Sequence, residues 1–504
     1  MGLPRVSGTL GATSCYAKQW DEAERELFEQ PRQRRDCAWV CQRGSLARRS
    51  DSVLPGIGTP FGTMNGDATE QFPDPCADGV RQCDVPGDRT RGADSGITRR
   101  AAGRTLLTAA MTGAVMVSAP LRTMSAQPLP PPIKARINQV LRAQVRDGFV
   151  PGIALAVSKD GRIIHAAGAG VSSLATKKRM PPTTPQPIGS VSKQFTAACI
   201  LLMQQEGMLS IDDQLSKYVP EISYGGRITL RQMLNMVSGI SDNDPAIYGD
   251  KLTEPIARTA MLANLDKLPL IFEPGSKMAY TNTNYNLLGL IVERVSRISY
   301  VQFLRQNIFG PLRMTSSSTF DAPLIGTATG YAHRRPGEPF DQPPEMSNDF
   351  AFATGNIVST PLDLLAWDAG LLSGAVLSRA SLREMFTVPG AGRITTVRET
   401  QPGFEVIKDV NDGGPTIYAM GWMLPNRHTR WHGGHTFLFQ SANVLFDDGY
   451  AIAAAGNVRD AGTFSPENLA VKIHNLLNPA LPLPPVFVLE NHPPASAEHT
   501  SKPI

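Results

Sequence analysis

The chain has 504 residues, 41% of them hydrophobic, so it exceeds one ordinary domain and carries enough apolar side chain for a sizeable core. Its formal net charge of +4 is small for that length, and no basic stripe runs through the later sequence, which argues against a nucleic-acid partner. No uninterrupted apolar run is long enough to span a bilayer, and the cluster Cys15, Cys37, Cys41, Cys76 and Cys83, odd in number and without partner histidines, fits neither a closed disulfide set nor a zinc site.

Residues 1–97 are rich in Arg, Gly, Asp and Pro and show no sustained period, so they read as disordered or as a mis-assigned leader. In residues 98–126, Arg99, Arg100 and Arg104 flank an apolar run from Leu106 to Ala119, and small residues and prolines follow. That is the layout of an export signal with a cut near Ala126, and Thr98-Arg99-Arg100 resembles a twin-arginine signal. Such a signal belongs at a start, so the expectation is a true start near residue 95. A periplasmic or secreted location follows if the segment acts as a signal, and a cytoplasmic one otherwise.

From about residue 130 to 478 the texture is that of a folded domain, and residues 479–504 form a Pro-rich tail. Ile133 to Asp147 has the period of an amphipathic helix. Gly152 to Ser158 and Arg162 to Ala169 read as strands joined by the hairpin turn Lys159-Asp160-Gly161. A helix is expected from Ile188 to Gly207, a short one from Ile228 to Val237 stopped by Ser238-Gly239, and a strongly periodic one from Asn284 to Val295. Thr360 to Leu372 is a further helix, with Pro361 in its first turn, where a missing N–H is harmless. Tyr418 to Asn457 alternates apolar and polar residues in short runs, as antiparallel strands do. Strands at both ends with helices between them imply an α+β fold whose N- and C-terminal strands share one sheet.

Within the Ile188–Gly207 helix, Ser190 and Lys193 make the only S-x-x-K in the chain. Three residues apart, the two side chains share one helix face. A serine hydroxyl is a poor nucleophile until a neighbour takes its proton, and a lysine does so once its pKa falls towards neutrality. A helix N-terminus disfavours ammonium and favours a developing alkoxide. Alone, the pair fits a capping serine and a solvated lysine better than a catalytic pair, and what changes that balance lies downstream. Two motifs follow downstream: Tyr280-Thr281-Asn282, the only Y-x-N, and His432-Gly433-Gly434-His435 after Trp431. The tyrosine also fits a buried side chain with a satisfied hydroxyl, the asparagine a cap, and the histidines a surface pair. H-x-x-H without nearby Cys, Asp or Glu is a weak metal signal, so no metal is assigned.

The order S-x-x-K, Y-x-N, H-x-G resembles the serine β-lactamase-related hydrolases: class C β-lactamases, DD-peptidases and family VIII carboxylesterases. TLRQMLNMVSGI, FEPGSKMAYTNTNYNLLGLIVE and GNIVSTPLDLLAW resemble that family's supporting segments. The resemblance implies an antiparallel sheet flanked by helices beside a mainly helical domain, with the active site between them. It implies that Ser190 attacks an acyl carbon and that Lys193 and Tyr280 share the base and acid work, a nearby lysine ammonium lowering the phenol's pKa. Asn282 would position Lys193 or a substrate amide, and the backbone N–H groups of Ser190 and His435 would form the oxyanion hole. His432, Gly433 and Gly434 would bind substrate, the glycines by letting it approach the strand edge closely. No cofactor is implied. The partner is a small-molecule ester, amide or peptide, and the sequence carries no signal for an oligomeric state.

Two departures bear on substrate. Where β-lactamases and DD-peptidases often carry a lysine that can hold a substrate carboxylate, this chain has His432, mostly neutral at pH 7. After it, His435-Thr436-Phe437-Leu438-Phe439 is bulky and is expected to narrow the acyl pocket. Both tilt the expectation towards an esterase-like or amidase-like hydrolase over an efficient β-lactamase, with the esterase-like reading favoured. A β-lactamase or D-amino-acid peptidase of the same fold is the alternative, and a catalytically inactive penicillin- or cell-wall-fragment-binding protein is the alternative of another class. An α/β-hydrolase is a further rival, but the chain contains no G-x-S-x-G elbow.

Overall fold

The computed structural model describes residues 129–485, apart from 250–251, 334–337, 388–394, 401–402, 407–416, 427 and 461–463. The leader reading of 1–97, the export-signal reading of 98–126 and most of the Pro-rich tail lie outside the described residues.

Helix α1, Pro131–Arg146, opens with proline in its first turn and buries Ile137 and Leu141. Strands β1, Gly152–Lys159, and β2, Arg162–Gly170, pair through a turn in which Asp160 and Gly161 both adopt positive φ. That backbone matches the twist of a hairpin, and it is why Asp-Gly stands there. The C-terminal strands are β3, Ile417–Ala419, β4, Trp422–Asn426, β5, Thr429–His435, β6, Gln440–Phe446, and β7, Tyr450–Gly456. All seven strands form one antiparallel sheet in the order β3-β4-β5-β6-β7-β1-β2, with Ile153 of β1 opposite Gly456 of β7. The expected α+β architecture, with the chain's two ends sharing a sheet, is the one present.

β1 lies between two covered faces and is apolar from Gly152 to Val157, as a doubly buried strand must be. Ile153, Leu155 and Val157 point towards α1 and a C-terminal helix, while Ala156 points into the larger helical core. That helical side contains α2, Ser192–Gln205, α3, Asn282–Ser296, α4, Asn348–Gly355, and α5, Pro361–Ser373. Phe195 of α2 is fully buried and stacks on Trp367 of α5 with ring centroids 4.4 Å apart. Burial of one such ring stabilises by roughly 2–3 kcal/mol and fixes the helix whose N-terminus faces β5.

Several elements differ from expectation, among them the helix expected over Ile228–Val237, which spans only Leu230–Leu234. Ser190 lies in a tight 3₁₀ turn, Gly189–Val191, just before α2, and not in the α-helix itself. Helix α3 starts at Asn282, two residues early, because Thr281 takes the extended cap position. The closing helix α6, Pro466–Leu477, was not anticipated. Its start signal was present: Ser465 caps the Asn468 N–H at 3.2 Å and Pro466 follows it.

Candidate active site

The fold brings three distant segments to the N-terminus of α2. Lys193 is completely buried, and its Nζ lies 3.0 Å from Ser190 Oγ, 2.9 Å from Asn282 Oδ1 and 3.1 Å from the Thr354 carbonyl oxygen. The Thr354 carbonyl is free for this because it belongs to the last turn of α4, whose carbonyls have no partner within the helix. Burial pulls the Lys193 pKa down to about 7, against the pull of the Asp242 and Asp244 carboxylates in the other direction. The geometry dictates what deprotonation would do. Asn282 Oδ1 and the Thr354 carbonyl only accept, so they hold two amine protons. The third position faces Ser190, whose hydroxyl can donate. A neutral Lys193 therefore turns its lone pair to the serine proton.

Asn282 is held in one orientation. Its Oδ1 also accepts from Thr354 Oγ1 at 2.9 Å, while its Nδ2 donates to Asp242 Oδ2 at 3.4 Å. Asp242 Oδ1 in turn accepts from the Thr283 N–H and hydroxyl, both at 2.9 Å. The Tyr280 ring lies with its centroid 4.8 Å from Lys193 Nζ. Its hydroxyl is buried without a well-formed hydrogen bond among the described residues, although Ser190 is close enough to offset part of the burial cost. The expected lowering of this phenol by the lysine is not what the surroundings produce. Burial dominates and pushes the Tyr280 pKa upward, because a desolvated ammonium gives up its proton before it can stabilise a phenolate.

β5 approaches the Ser190 turn closely. A side chain at Gly189, which has φ of +50°, would put a Cβ 2.5 Å from the His435 nitrogen, and one at Gly434 would fall 1.8 Å from the Ile188 carbonyl oxygen. Within the protein, the glycines admit two close contacts. Gly434 admits the nucleophile turn, and Gly433 admits the Glu467 carboxyl of α6, 2.1 Å from where a Cβ would sit. Thr436 N–H bonds the Phe439 carbonyl at 3.0 Å, so the His435–Gln440 pair is of the non-hydrogen-bonded kind. The His435 N–H consequently points away from β6, to the side where the Ser190 turn lies. The His435 ring belongs to the opposite face, 3.9 Å from Glu467 Oε1.

His432 is buried beside Tyr280, ring centroids 5.9 Å apart. Its Nδ1 lies 2.6 Å from the Gly433 carbonyl oxygen and must donate to it, so Nε2, 3.1 Å away, accepts from the Tyr418 hydroxyl. Burial, reinforced by Lys193, drives its pKa down to about 3. It is a neutral ring with both nitrogens engaged. Leu438 and Phe439, expected to crowd an acyl pocket, point instead into a small core with Ala154, Met180 and Ala328, while His435 is exposed and Phe437 partly exposed. Sequence reasoning also missed Thr354 and Asp242. Thr354 directly precedes the GNIVSTPLDLLAW segment, and Asp242 follows the Ser238-Gly239 stop by three residues.

A profile of the family described as Beta-lactamase matches residues 137–474. The chain belongs to the Beta-lactamase family. Among relatives of this Beta-lactamase family member, "Protein flp" of Staphylococcus aureus (strain N315) is 31% identical over 192 residues, which is 36% of this chain and 38% of the relative. The chain therefore spans less than two-fifths of the length of the curated relatives it matches first. Among solved structures, the octameric penicillin-binding protein homologue from Pyrococcus abyssi is 24% identical with a TM-score of 0.57, covering 68% of this chain and 77% of its own, and shares the fold. The D-stereospecific amidohydrolase from Streptomyces sp. is 25% identical with a TM-score of 0.53, covering 64% of this chain and 94% of its own.

Proposed function

We propose that this chain is a serine hydrolase that cleaves small ester or amide substrates through an acyl-Ser190 intermediate, with esters preferred. The observation that carries the reading is the 3.0 Å contact between Ser190 Oγ and a buried Lys193 whose other two partners can only accept. Lys193, neutral above about pH 7, takes the hydroxyl proton as Oγ attacks the acyl carbon. The developing oxyanion receives the N–H groups of Ser190 and His435, and each such donor contributes roughly 3 kcal/mol to transition-state stability. Tyr280, held protonated by burial, gives its proton to the leaving oxygen or nitrogen and recovers one from Lys193. Water then attacks the acyl-serine by the same route in reverse. Asn282 positions Lys193.

The preference for esters rests on His432. A neutral ring with both nitrogens engaged offers no fixed cation to a substrate carboxylate, the group that a β-lactam or a peptide terminus presents. The similarity to a D-stereospecific amidohydrolase supports keeping amides within the substrate class. Hydrolysis of p-nitrophenyl butyrate and of nitrocefin, measured side by side, tests the preference, and faster turnover of nitrocefin would reverse it. Intact-mass detection of a fluorophosphonate adduct, mapped to Ser190, tests the nucleophile. Stoichiometric acylation without turnover would favour a binding protein.

A further inference from the structure

The oxyanion hole of the reading above depends on how firmly the turn after β5 is held, and one carboxylate outside the recognised motifs holds it. The turn Thr436–Phe439 is organised by the Thr436 hydroxyl, whose oxygen accepts the Leu438 N–H at 3.2 Å and the Phe439 N–H at 3.1 Å. The hydroxyl proton goes to Glu345 Oε2 at 2.7 Å, and the Phe437 N–H goes to Glu345 Oε1 at 2.8 Å. The Met346 N–H also donates to Oε1, at 2.9 Å. Glu345 is two residues from Ser347, the cap of α4, and α4 ends on the Thr354 carbonyl that holds Lys193. A segment of ten residues thus touches the oxyanion turn at one end and the proposed base at the other.

We propose that Glu345 is a positioning residue for the oxyanion hole, clamping the turn that aims the His435 N–H. The proposal rests on the acyl-serine reading. Its chemistry is specific to an acceptor-only group. The Thr436 oxygen already takes two N–H groups, so its hydroxyl can only donate outward. A glutamine at 345 has one oxygen to offer. If that oxygen serves Phe437, its amide N–H₂ faces a hydroxyl that cannot accept it. The clamp therefore fails in Glu345→Gln although size and shape are kept.

The test compares wild type, Glu345→Gln, Thr436→Val and the double variant, with p-nitrophenyl butyrate as substrate and phenylboronic acid as the tetrahedral oxyanion mimic. Glu345→Gln is expected to lower kcat about 10- to 100-fold with KM within about 2-fold, and to weaken phenylboronic acid by a similar factor. Thr436→Val is expected to lose boronate affinity similarly, and the double variant to lose no more than the worse single one, because both cut the same clamp. Wild-type boronate affinity and kcat in Glu345→Gln would overturn the proposal, even with a lowered Tm, since that is what a purely structural role gives. If Glu345→Gln does not fold, Thr436→Val decides, and unchanged boronate affinity there overturns the proposal. Fluorophosphonate labelling separates the two failures. No adduct on wild-type Ser190 sinks the acyl-serine reading itself, whereas equally fast labelling of wild type and Glu345→Gln sinks only the clamp.

Discussion

Lys193 and Gln194 are neighbours on α2 and both are completely buried, yet they belong to polar networks of opposite character. Lys193 faces the cleft, and its network ends on the partly exposed hydroxyl of Ser190. Gln194 faces the sheet, where its Oε1 accepts from Trp367 Nε1 and from Asn443 Nδ2, each at 3.2 Å. Asn443 also donates to Asp368 Oδ1 at 2.7 Å, and burial pushes the Asp368 pKa up to about 8. The same physics neutralises both ionisable groups, by removing a proton from the lysine and keeping one on the aspartate. At Lys193 the neutral form has a lone pair with a hydroxyl in front of it. At Asp368 it has an amide, with no group to activate. Burial makes a perturbed pKa, and the neighbour decides whether that does chemistry.

Substitutions in the two networks should therefore separate activity from stability. The largest effect is expected in the first. Ser190→Ala should lower p-nitrophenyl butyrate hydrolysis by at least about 1,000-fold and abolish fluorophosphonate labelling, with Tm close to wild type. Lys193→Ala should cost a similar factor, and in wild type kcat/KM should rise with pH through an apparent pKa near 7. Asp368→Asn should do the reverse, leaving kcat/KM within about 2-fold and changing stability. The carboxyl titrates near 3.8 when free and at about 8 in the folded protein. Between those values the folded protein keeps a proton that the unfolded chain has lost, so stability falls as pH rises from about 4 to 8. Asp368→Asn removes that group, and its Tm should depend less on pH across the same window. An unchanged pH slope would show that Asp368 is ionised in the fold.

The division between the two networks also marks what could be read from sequence. The sheet, its hairpin turn and the helices α1, α3 and α5 were legible because each has a local period and a local stop or start signal. The Ser190, Lys193, Tyr280 and Asn282 set was legible because short motifs keep those residues in a recognisable order. Thr354, Asp242 and Glu345 were not, since each acts through a contact across 40 to 161 positions that no local pattern encodes. His432 was legible as a neutral ring, but its hydrogen bond to Tyr418 was not. The glycines after it were recognised as demanding close approach, but that Ile188 and Glu467 also approach them within the protein was not. A missing side chain declares that space is needed without naming what fills it.

The finest comparison is between Asp242 and Asp368, two buried carboxylates at the far ends of the two networks. Asp242 reaches Lys193 through Asn282, and its charge favours the ammonium form against the burial that opposes it. Asp242→Asn keeps an oxygen for the Thr283 N–H and hydroxyl and removes the charge, so the Lys193 pKa should fall further. The acid limb of kcat/KM should move to lower pH by less than about one unit, because Asp242 acts on Lys193 across Asn282 and not by direct contact. Asp244→Asn should move it little, because burial and the neighbouring Asp242 push the Asp244 pKa up to about 8, so the group is largely uncharged where Lys193 titrates. Asp368→Asn should leave the limb where it is, because Asp368 is not among the groups that shift Lys193. A limb that moves upward in Asp242→Asn would mean that the carboxylate acts by orienting Asn282 and not by its charge. A limb that moves in Asp368→Asn would join two networks that the hydrogen bonds keep apart.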